Sequence, residues 1–280
     1  MLIEIALGDA YGSCFEFSSA EKVAALNHAN GYPASDNGVP AGCYTDDTQM
    51  SLAVLEVVLA GEAGSRAAYA EAFVRCYRRD ARPGYAKGFR ALLDECQSGA
   101  ELLARIRNDS TRNGAAMRAV PLGLLDGDTQ HVLAAAHAQA SVTHNTPEGL
   151  GSAAFVALVS HFLLRHALPL PDAVARAEQL AGLSIKRDWA GWVECDGLQT
   201  VHAVATVLLR NRSMTALLRD AVAFGGDVDS VAAIALGLAS LTPAIRNDLP
   251  PLLIEGLEDG HYGRSYLAGL DEQIRAAEER

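Results

Sequence analysis

The chain has 280 residues, half of them hydrophobic, and a formal net charge of −11, because 34 Asp and Glu outnumber 23 Lys and Arg. A chain of this length and composition can bury a sizeable core. The acidic balance argues against a protein whose main task is to grip a nucleic-acid backbone, so a nucleic-acid partner is not expected; a small phosphate-bearing ligand in a pocket stays compatible with it.

The cysteine pattern and the N-terminal sequence indicate the cellular compartment. Five cysteines are scattered along the chain without a Cys-x-x-Cys or Cys/His zinc spacing, which is typical of reduced thiols. The first residues lack a basic stretch followed by a long apolar run, so no signal peptide is expected. No stretch approaches the roughly 18 apolar residues of a membrane span. We therefore predict a cytoplasmic protein.

Apolar residues recur at helical spacing along most of the chain, whereas alternating β-branched segments bounded by turns are missing. The connections are short and marked by Gly or Pro, and no linker divides the sequence. The sequence thus predicts an all-α protein with a single domain over residues 1–280. The predicted helical runs are Met50–Val58, Ala67–Tyr77, Gly88–Leu93, His131–Ala140, Gly151–Arg165, Leu170–Leu183, Leu198–Leu209, Met214–Phe224, Val231–Leu241 and Arg264–Ala277.

A first acidic motif, Thr45-Asp46-Asp47-Thr48, lies directly before the helical run at Met50. Thr and Asp are favoured N-cap residues, so a doubly acidic helix cap is one interpretation. A second adjacent acid exceeds what capping requires, because it adds repulsion. The motif alone leaves capping and ligand binding open.

A second motif, Gly225-Gly226-Asp227-Val228-Asp229-Ser230, precedes an apolar run that is expected to be buried on most sides. Several carboxylates without counter-charge are very unfavourable in such a place. The helix dipole offsets only about 0.3–1 kcal/mol of that cost. No Lys or Arg lies nearby in sequence, although the fold could supply one. A hard divalent cation with oxygen ligands would resolve the conflict.

A third segment, residues 8–17, places Glu16 among apolar and small residues. Taken alone it is a weak signal, and a surface Glu is the simpler interpretation. The three segments together resemble the signature of the ADP-ribosylhydrolase (ADP-ribosylglycohydrolase) family, which includes the dinitrogenase-reductase-activating glycohydrolases. The matching stretches are GDAYGSCFEF, YTDDTQM and GGDVDS, with RPGYAKGFRALL, RNGAAMRAVPLG and SVTHNTPEG between them in family order.

The resemblance extends from about Leu7 to Gly237 and implies a compact orthogonal helical bundle, monomeric in the family's usual state. It implies two divalent cations, Mg²⁺ or Mn²⁺, which suit an oxygen-rich site. Ser230 stands where the family more often has Thr, and it retains a hydroxyl. By resemblance one cation is held by Thr45, Asp46 and Asp47, the second by Asp227 and Ser230, and Asp229 bridges the two.

The resemblance also implies the chemistry and the substrate contacts. Glu16, Asp46 and Asp229 are the implied catalytic residues, with Glu16 as general acid or base. Two cations near a ribose could hold its hydroxyls and lower the pKa of a bound water. The implied substrate-binding residues are Gly84, Tyr85, Ala86, Lys87 and Gly88 below the diphosphate, Ser110, Asn113 and Gly114 by the phosphates and distal ribose, and His144 facing the ligand.

Several assignments keep a structural alternative. For Lys87, a Lys on a helix, an exposed side chain is the simpler interpretation, and for His144 the alternative is a hydrogen-bonded structural group. Tyr85 and Trp189 are candidates for stacking on adenine or shaping the target side, with core packing as the alternative for Trp189.

Three functions remain open at this stage. The first is an active hydrolase that removes ADP-ribose from a modified protein side chain, such as Arg or Ser, or from a small-molecule conjugate. The second is a non-catalytic ADP-ribose or nucleotide-binding module on the same fold. The third is a metal-dependent hydrolase of another glycosidic or phosphoester bond. No P-loop or His-Glu-x-x-His motif occurs, which leaves kinase-like and zincin functions without support.

Overall fold

The computed structural model describes residues 1–278. Within this range the protein is built from helices, and the only β-type pairings are three isolated bridges, which confirms the all-α prediction. The helices are α1 Leu2–Gly12, α2 Ala20–Leu26, α3 Asp46–Leu59, α4 Arg66–Arg79, α5 Lys87–Glu95, α6 Gly99–Arg105, α7 Gly114–Met117, a 3-10 helix Val120–Leu124, α8 Thr129–Ala140, α9 Pro147–Arg165, α10 Leu170–Ala181, α11 Gly197–Arg210, α12 Met214–Ala223, α13 Val228–Ala239, α14 Pro251–Gly256 and α15 Arg264–Glu278.

Many of these helices begin at side chains that the sequence marks as caps. Ser65, Thr146 and Ser213 each accept a hydrogen bond from the backbone N–H three residues later, at the starts of α4, α9 and α12. Helix α9 also has Pro147 at its first position, where a missing N–H costs nothing. Helix α10 ends at Gly182 with φ +66°, the left-handed conformation that glycine adopts without strain.

The helical spacing missed the first helix and several short ones. Nine of the eleven residues of α1 are buried, so this helix has no polar face and shows no amphipathic period. Helices α2, α6, α7 and α14 have seven residues or fewer, which is too short for a periodic signal. These helices were therefore absent from the prediction.

Helix α13 is fully buried along its twelve residues and packs against α1, α11 and α12. Its approach to α1 depends on two glycines, Gly8 and Gly12. A Cβ atom at Gly8 would lie 2.4 Å from the carbonyl oxygen of Ala232, and one at Gly12 would lie 2.3 Å from the Cα of Asp229. Because neither atom exists, the acidic start of α13 lies directly against the end of α1.

Helix α9 is long and apolar enough, by length and composition, to cross a membrane, contrary to the expectation from the sequence. However, 78% of its apolar window is buried inside the protein, as in a core helix that is hydrophobic on all sides. Its apolar character is thus used for packing against α8, α10 and the 3-10 helix.

Candidate active site

The acidic motifs meet at the N-terminal ends of α3 and α13. Asp46 and Asp47 occupy the first turn of α3, and Asp229 occupies the first turn of α13. Asp227 precedes α13, and Glu16 lies in the turn that follows α1. All five acids line a single cavity. The structure therefore brings together carboxylates that are more than 200 residues apart in the chain.

The start of α3 is capped by a residue from another helix. Asp9 of α1 is completely buried, and its carboxylate accepts hydrogen bonds from the backbone N–H groups of Thr45 and Thr48 and from both of their hydroxyls, at 2.6–3.0 Å. Thr45 holds the N-cap position without making a cap hydrogen bond of its own. Capping by Asp46 and Asp47 is therefore not observed, and both carboxylates face the cavity instead.

Asp9 is one residue of this site for which the sequence yielded no role. Its one distinguishing signal was an acid inside an otherwise apolar segment. Since α1 was not recognised as a helix, the burial of that acid could not be inferred.

The carboxylates lie close enough to repel one another strongly. One oxygen each from Glu16, Asp227 and Asp229 lies within 4.8 Å of the others. Burial, together with repulsion by neighbouring carboxylates, raises the pKa values of Asp46, Asp47 and Asp229 well above the usual range of an Asp. Within residues 1–278, none of these side chains forms an ion pair with Lys or Arg.

The donor set fits hard divalent cations. It consists of oxygen atoms, it carries several uncompensated charges, and the buried Oδ1 atom of Asp47 has no hydrogen-bond partner. Ser230 is buried beside the cavity and offers a further hydroxyl oxygen. Thr45 is also buried; its hydroxyl donates to Asp9, so a lone pair remains for another partner, although Thr45 does not itself line the cavity.

Glu16 is only partly buried, and its carboxylate has a side-chain hydrogen-bond donor, Asn37. Burial and repulsion by Asp227 and, more weakly, by Asp9 raise its pKa to about 7, while a hydrogen bond from Asn37 opposes that rise. The Nδ2 atom of Asn37 donates to Oε2 of Glu16 at 2.9 Å. Near neutral pH this carboxyl can therefore exchange a proton, and it is not the simple surface side chain that the isolated segment suggested.

The cavity has a volume of about 870 Å³, within the range of pockets that hold a nucleotide-sized ligand. One wall is formed by residues 84–88, which precede and begin α5. Gly84 has φ +101°, and a Cβ atom there would lie 1.9 Å from Oδ1 of Asp46. The glycine is thus required both by the backbone conformation and by the closeness of the acid.

The predicted binding residues of this wall have different surroundings. Ala86, Lys87 and Gly88 are exposed at the cavity edge. Tyr85 is buried: its hydroxyl donates to Gln49 at 2.7 Å, and its ring packs edge-on against Tyr77. Its ring is therefore occupied by protein contacts, which disfavours the suggested stacking on adenine.

The remaining predicted contacts, Ser110, Asn113, Gly114 and His144, also line the cavity. The Nδ2 atom of Asn113 donates to Oδ2 of Asp227 at 2.9 Å and to Oγ1 of Thr200 at 3.1 Å. Asn113 therefore orients a carboxylate, a role that the sequence did not suggest. Gly114 lies against the imidazole of His144, since a Cβ atom at Gly114 would be 2.9 Å from its Cε1.

The structure distinguishes between the two alternatives for Trp189. Trp189 does not line the cavity; its ring packs near His202, and its indole N–H donates to the carbonyl of Gly191 at 3.2 Å. The core-packing alternative therefore holds for Trp189. Trp192, which received no role from the sequence, is instead paired with Phe17, and each of these side chains is 45% exposed.

The fold also supplies the positive charge that the sequence near the acidic motifs lacks. Arg118 is buried and lines the cavity together with Arg112. It is bonded to Gln139 and Thr143 rather than to an acid. An isolated Arg between apolar residues gives no sequence signal for such a position.

Comparison with known proteins agrees with the motifs. A model of the ADP-ribosylglycohydrolase family matches residues 1–280. The chain belongs to the ADP-ribosylglycohydrolase family. The prediction of a hydrolase of glycosidic bonds is thereby confirmed at the level of the family.

Two curated relatives show how far the similarity extends. An ADP-ribosylarginine hydrolase, Tri1 from Serratia proteamaculans, is 25% identical over 253 residues, which cover 83% of this chain and 67% of that protein. The human ADP-ribosylhydrolase ARH3 is 32% identical over 173 residues, which cover 57% of this chain and 47% of that protein. The matched segment thus spans about half the length of the human relative.

A solved structure, described as an ADP-ribosylglycohydrolase-related protein complex, has the same fold. It aligns with a TM-score of 0.75 and 22% identity over 98% of this chain and 94% of that one. The expected bundle of the ADP-ribosylglycohydrolase type is therefore confirmed.

Proposed function

We propose that this protein is a dimetal-dependent ADP-ribosyl hydrolase that cleaves the bond between ADP-ribose and a modified protein side chain. The observation that carries the proposal is the convergence of Glu16, Asp46, Asp47, Asp227 and Asp229 on one cavity of about 870 Å³. A cavity of this size suits a dinucleotide-like ligand, and the family assignment points to ADP-ribose.

The chain offers two groups of oxygen donors for two cations. Thr45, Asp46 and Asp47 at the start of α3 would hold one cation, Asp227 and Ser230 at the start of α13 would hold the other, and Asp229 would be shared. Mg²⁺ or Mn²⁺ bound there would supply positive charge, anchor ribose hydroxyls and lower the pKa of a water.

Around that centre the protein side chains have separable tasks. Asn113 holds Asp227 in place through its amide. Glu16, one oxygen of which accepts a hydrogen bond from Asn37, is placed to hold or release a proton at its other oxygen. The backbone of residues 84–88, which begins beside Asp46, is exposed in part and leads into α5, can donate N–H groups to phosphate oxygens.

The exposed ring pair supports a macromolecular acceptor on the Glu16 side. Phe17 follows Glu16 directly, and its ring centroid lies 6.1 Å from that of Trp192. Phe17 has φ +53°, a conformation that costs a bulky residue about 1–3 kcal/mol and is concentrated at functional sites. Neither ring lines the cavity itself, so this pair would be available to the part of a modified protein that extends beyond the cavity on the Glu16 side.

The decisive experiment measures release of ADP-ribose from a panel of ADP-ribosylated Arg, Ser and small-molecule substrates with Mg²⁺, Mn²⁺ or EDTA. We expect release that is abolished by EDTA and by Asp46→Ala or Asp229→Ala, and retained by Asp126→Asn, whose side chain is 93% exposed. Metal-dependent binding of ADP-ribose without any release would instead indicate a binding module. The absence of both ADP-ribose binding and ADP-ribose release would refute the proposal. Monomeric state and cytoplasmic location stay predictions, tested by light scattering and cell fractionation.

A further inference from the structure

Arg118 is a buried cation whose hydrogen bonds lead towards the cavity. Its side chain is 1% exposed, and the guanidinium packs 4.4 Å from the ring centroid of Phe73. Its Nε donates to Oε1 of Gln139 at 2.6 Å, and its Nη2 donates to Oγ1 of Thr143 at 2.9 Å. Oγ1 of Thr143 lies in turn 2.6 Å from Nδ1 of His144. A buried Arg, a hydroxyl and an imidazole thus form one continuous chain.

The direction of each hydrogen bond in this chain follows from the chemistry of the groups. A guanidinium has donors and no acceptor, so the hydroxyl oxygen of Thr143 must accept from Arg118. The hydroxyl has one proton of its own to donate, and Nδ1 of His144 is the neighbouring acceptor. A neutral imidazole that accepts at Nδ1 carries its proton at Nε2.

The opposite arrangement is unfavourable. With a proton on Nδ1, the Thr143 oxygen would accept from both Arg118 and His144, and the Thr143 proton would be left without its acceptor Nδ1. A doubly protonated ring would place a second positive charge close to the buried guanidinium. In agreement, burial and the charges of Arg118 and Arg112 lower the pKa of His144 to about 3.

The other edge of the imidazole lies beside the cavity wall. His144 lines the cavity, and its Cε1–Nε2 edge is next to Gly114, another lining residue, whose missing Cβ leaves that edge uncovered by a side chain there. Within residues 1–278, Nε2 has no protein hydrogen-bond partner, whereas Nδ1 has Thr143.

We propose that Arg118, acting through Thr143, holds His144 as the Nε2–H tautomer, so that the cavity presents an N–H donor to an oxygen of the ligand. Arg118 and Thr143 are therefore positioning residues for a ligand contact. This subsite accepts a ligand oxygen with a free lone pair and disfavours a group that can only donate. The assignment of ADP-ribose as the ligand rests on the proposed function, whereas the tautomer does not.

The first test is the tautomer itself, measured by long-range ¹H–¹⁵N correlation of the histidine rings in the native protein. The chain has eight histidines, so the His144 signals are identified by their loss in His144→Gln. We expect Nδ1 to resonate as a non-protonated nitrogen and Nε2 as an N–H nitrogen. Protonation at Nδ1, or an even mixture of tautomers, would overturn the proposal without any assay of activity.

The second test compares two substitutions of Thr143 that differ in one hydroxyl. Thr143→Val keeps the shape and removes the proton donor, and Thr143→Ser keeps the hydroxyl. We expect Thr143→Val to lose the tautomer preference and to weaken ADP-ribose binding, measured calorimetrically with Mg²⁺, about three- to tenfold, the range for one hydrogen bond. Thr143→Ser should stay within about twofold of the native protein.

The outcomes separate this proposal from the proposed function. Unchanged tautomer and affinity in Thr143→Val would refute the role of Thr143. If Thr143→Val does not fold, as judged by circular dichroism, the native spectrum and Thr143→Ser still decide the matter. If the native protein does not bind ADP-ribose, the proposed function fails, while the ring spectra continue to test the Arg118–Thr143–His144 chain.

Discussion

Replacing Asp229 by Asn should stabilise the metal-free protein against unfolding. It should also reduce the additional stability that the protein gains from bound cations. Asp229 is buried at the start of α13, and one of its oxygens lies within 4.8 Å of oxygens from Glu16 and Asp227. The amide of Asn has nearly the same shape and can still accept the hydrogen bond that Oδ1 receives from the backbone N–H of Ser230. The substitution therefore removes charge with little change in packing.

The size of the effect follows from Coulomb's law. Two unit charges 4.8 Å apart repel by about 3.5 kcal/mol at an effective dielectric constant of about 20. Because the raised pKa values let part of the cluster hold protons, we expect about 2 kcal/mol of stabilisation, close to 4 °C in Tm for a chain of this length. A cation at about 100 times its Kd would add about 2.7 kcal/mol to the native protein.

The assay is thermal unfolding at pH 8 in EDTA and in a series of Mg²⁺ and Mn²⁺ concentrations. Asp126→Asn, at a highly exposed side chain, is the matched control and should change neither curve. Asp229→Asn should melt higher than the control in EDTA and should lose most of the cation-dependent rise. Equal melting in EDTA would show that the carboxylates do not repel as the geometry requires. A full cation-dependent rise in the variant would show that Asp229 is not a ligand.

Four further outcomes are expected. Glu16→Gln should lower kcat about 10²–10⁴-fold while ADP-ribose affinity, measured by calorimetry, stays within about threefold, as for a lost general acid or base. Phe17→Ala should raise KM for an ADP-ribosylated protein severalfold and leave the affinity for free ADP-ribose unchanged; an equal effect on both ligands would contradict an acceptor-side role. Gly84→Ala should reduce activity and cation affinity at least tenfold, because its Cβ would displace the Asp46 carboxylate and because alanine is strained at φ +101°. His144 has a folded-state pKa of about 3 against 6.5 unfolded, so the unfolded state takes up the proton first, and the ring's contribution to stability is lost as the pH falls from 6.5 towards 3. Chemical denaturation should show the native protein losing up to about 2 kcal/mol more than His144→Gln between pH 7 and pH 5; equal losses would mean that the ring is protonated in the folded state.

The fold was predictable where a helix has both a polar and an apolar side. Helix α4, for example, begins at the capping residue Ser65, and its apolar residues keep the helical period, so it was predicted nearly to its ends. Helix α1 was missed because burial on almost every side removes that period. Burial alone does not hide a helix, because the buried helices α9 and α13 were predicted from apolar residues at helical spacing, over Gly151–Arg165 and Val231–Leu241.

The acids of the candidate site were visible in the sequence, but their supports were not. Asp46 and Asp229 stood out because charge next to an apolar helix is unusual. Asp9, Asn113 and Arg118 contact the site only through tertiary structure, since each bonds to a residue at least 21 positions away. Such long-range hydrogen bonds leave no local pattern in a single sequence. Resemblance to the family identified the site residues, whereas the hydrogen bonds in the structure show which neighbouring residues hold them in position.

At both helix starts of the site, the N-cap side chain does not cap its own helix. This is why the sequence alone could not distinguish a capping role of these motifs from a ligand-binding role. At α3 the hydroxyl of the N-cap residue Thr45 donates a hydrogen bond to Asp9. Asp9, rather than Thr45, then caps the helix by accepting from the backbone N–H of Thr48. At α13 the N-cap residue Asp227 makes no cap bond and accepts instead from Asn113. Each acid that would ordinarily stabilise its own helix is thereby freed to face the cavity.

Freeing those acids would be costly if nothing compensated their charge. The two helix N-termini direct positive dipole ends at the cavity, each worth about 0.3–1 kcal/mol. Arg118 adds a full charge nearby, yet it is bonded to Gln139 and Thr143, and none of the acids forms an ion pair with it. These contributions are smaller than the repulsion of about 3.5 kcal/mol for a single charged pair at 4.8 Å. The remaining imbalance is what a divalent cation would neutralise, and a measured gain in metal-free stability on losing Asp229 would be its direct signature.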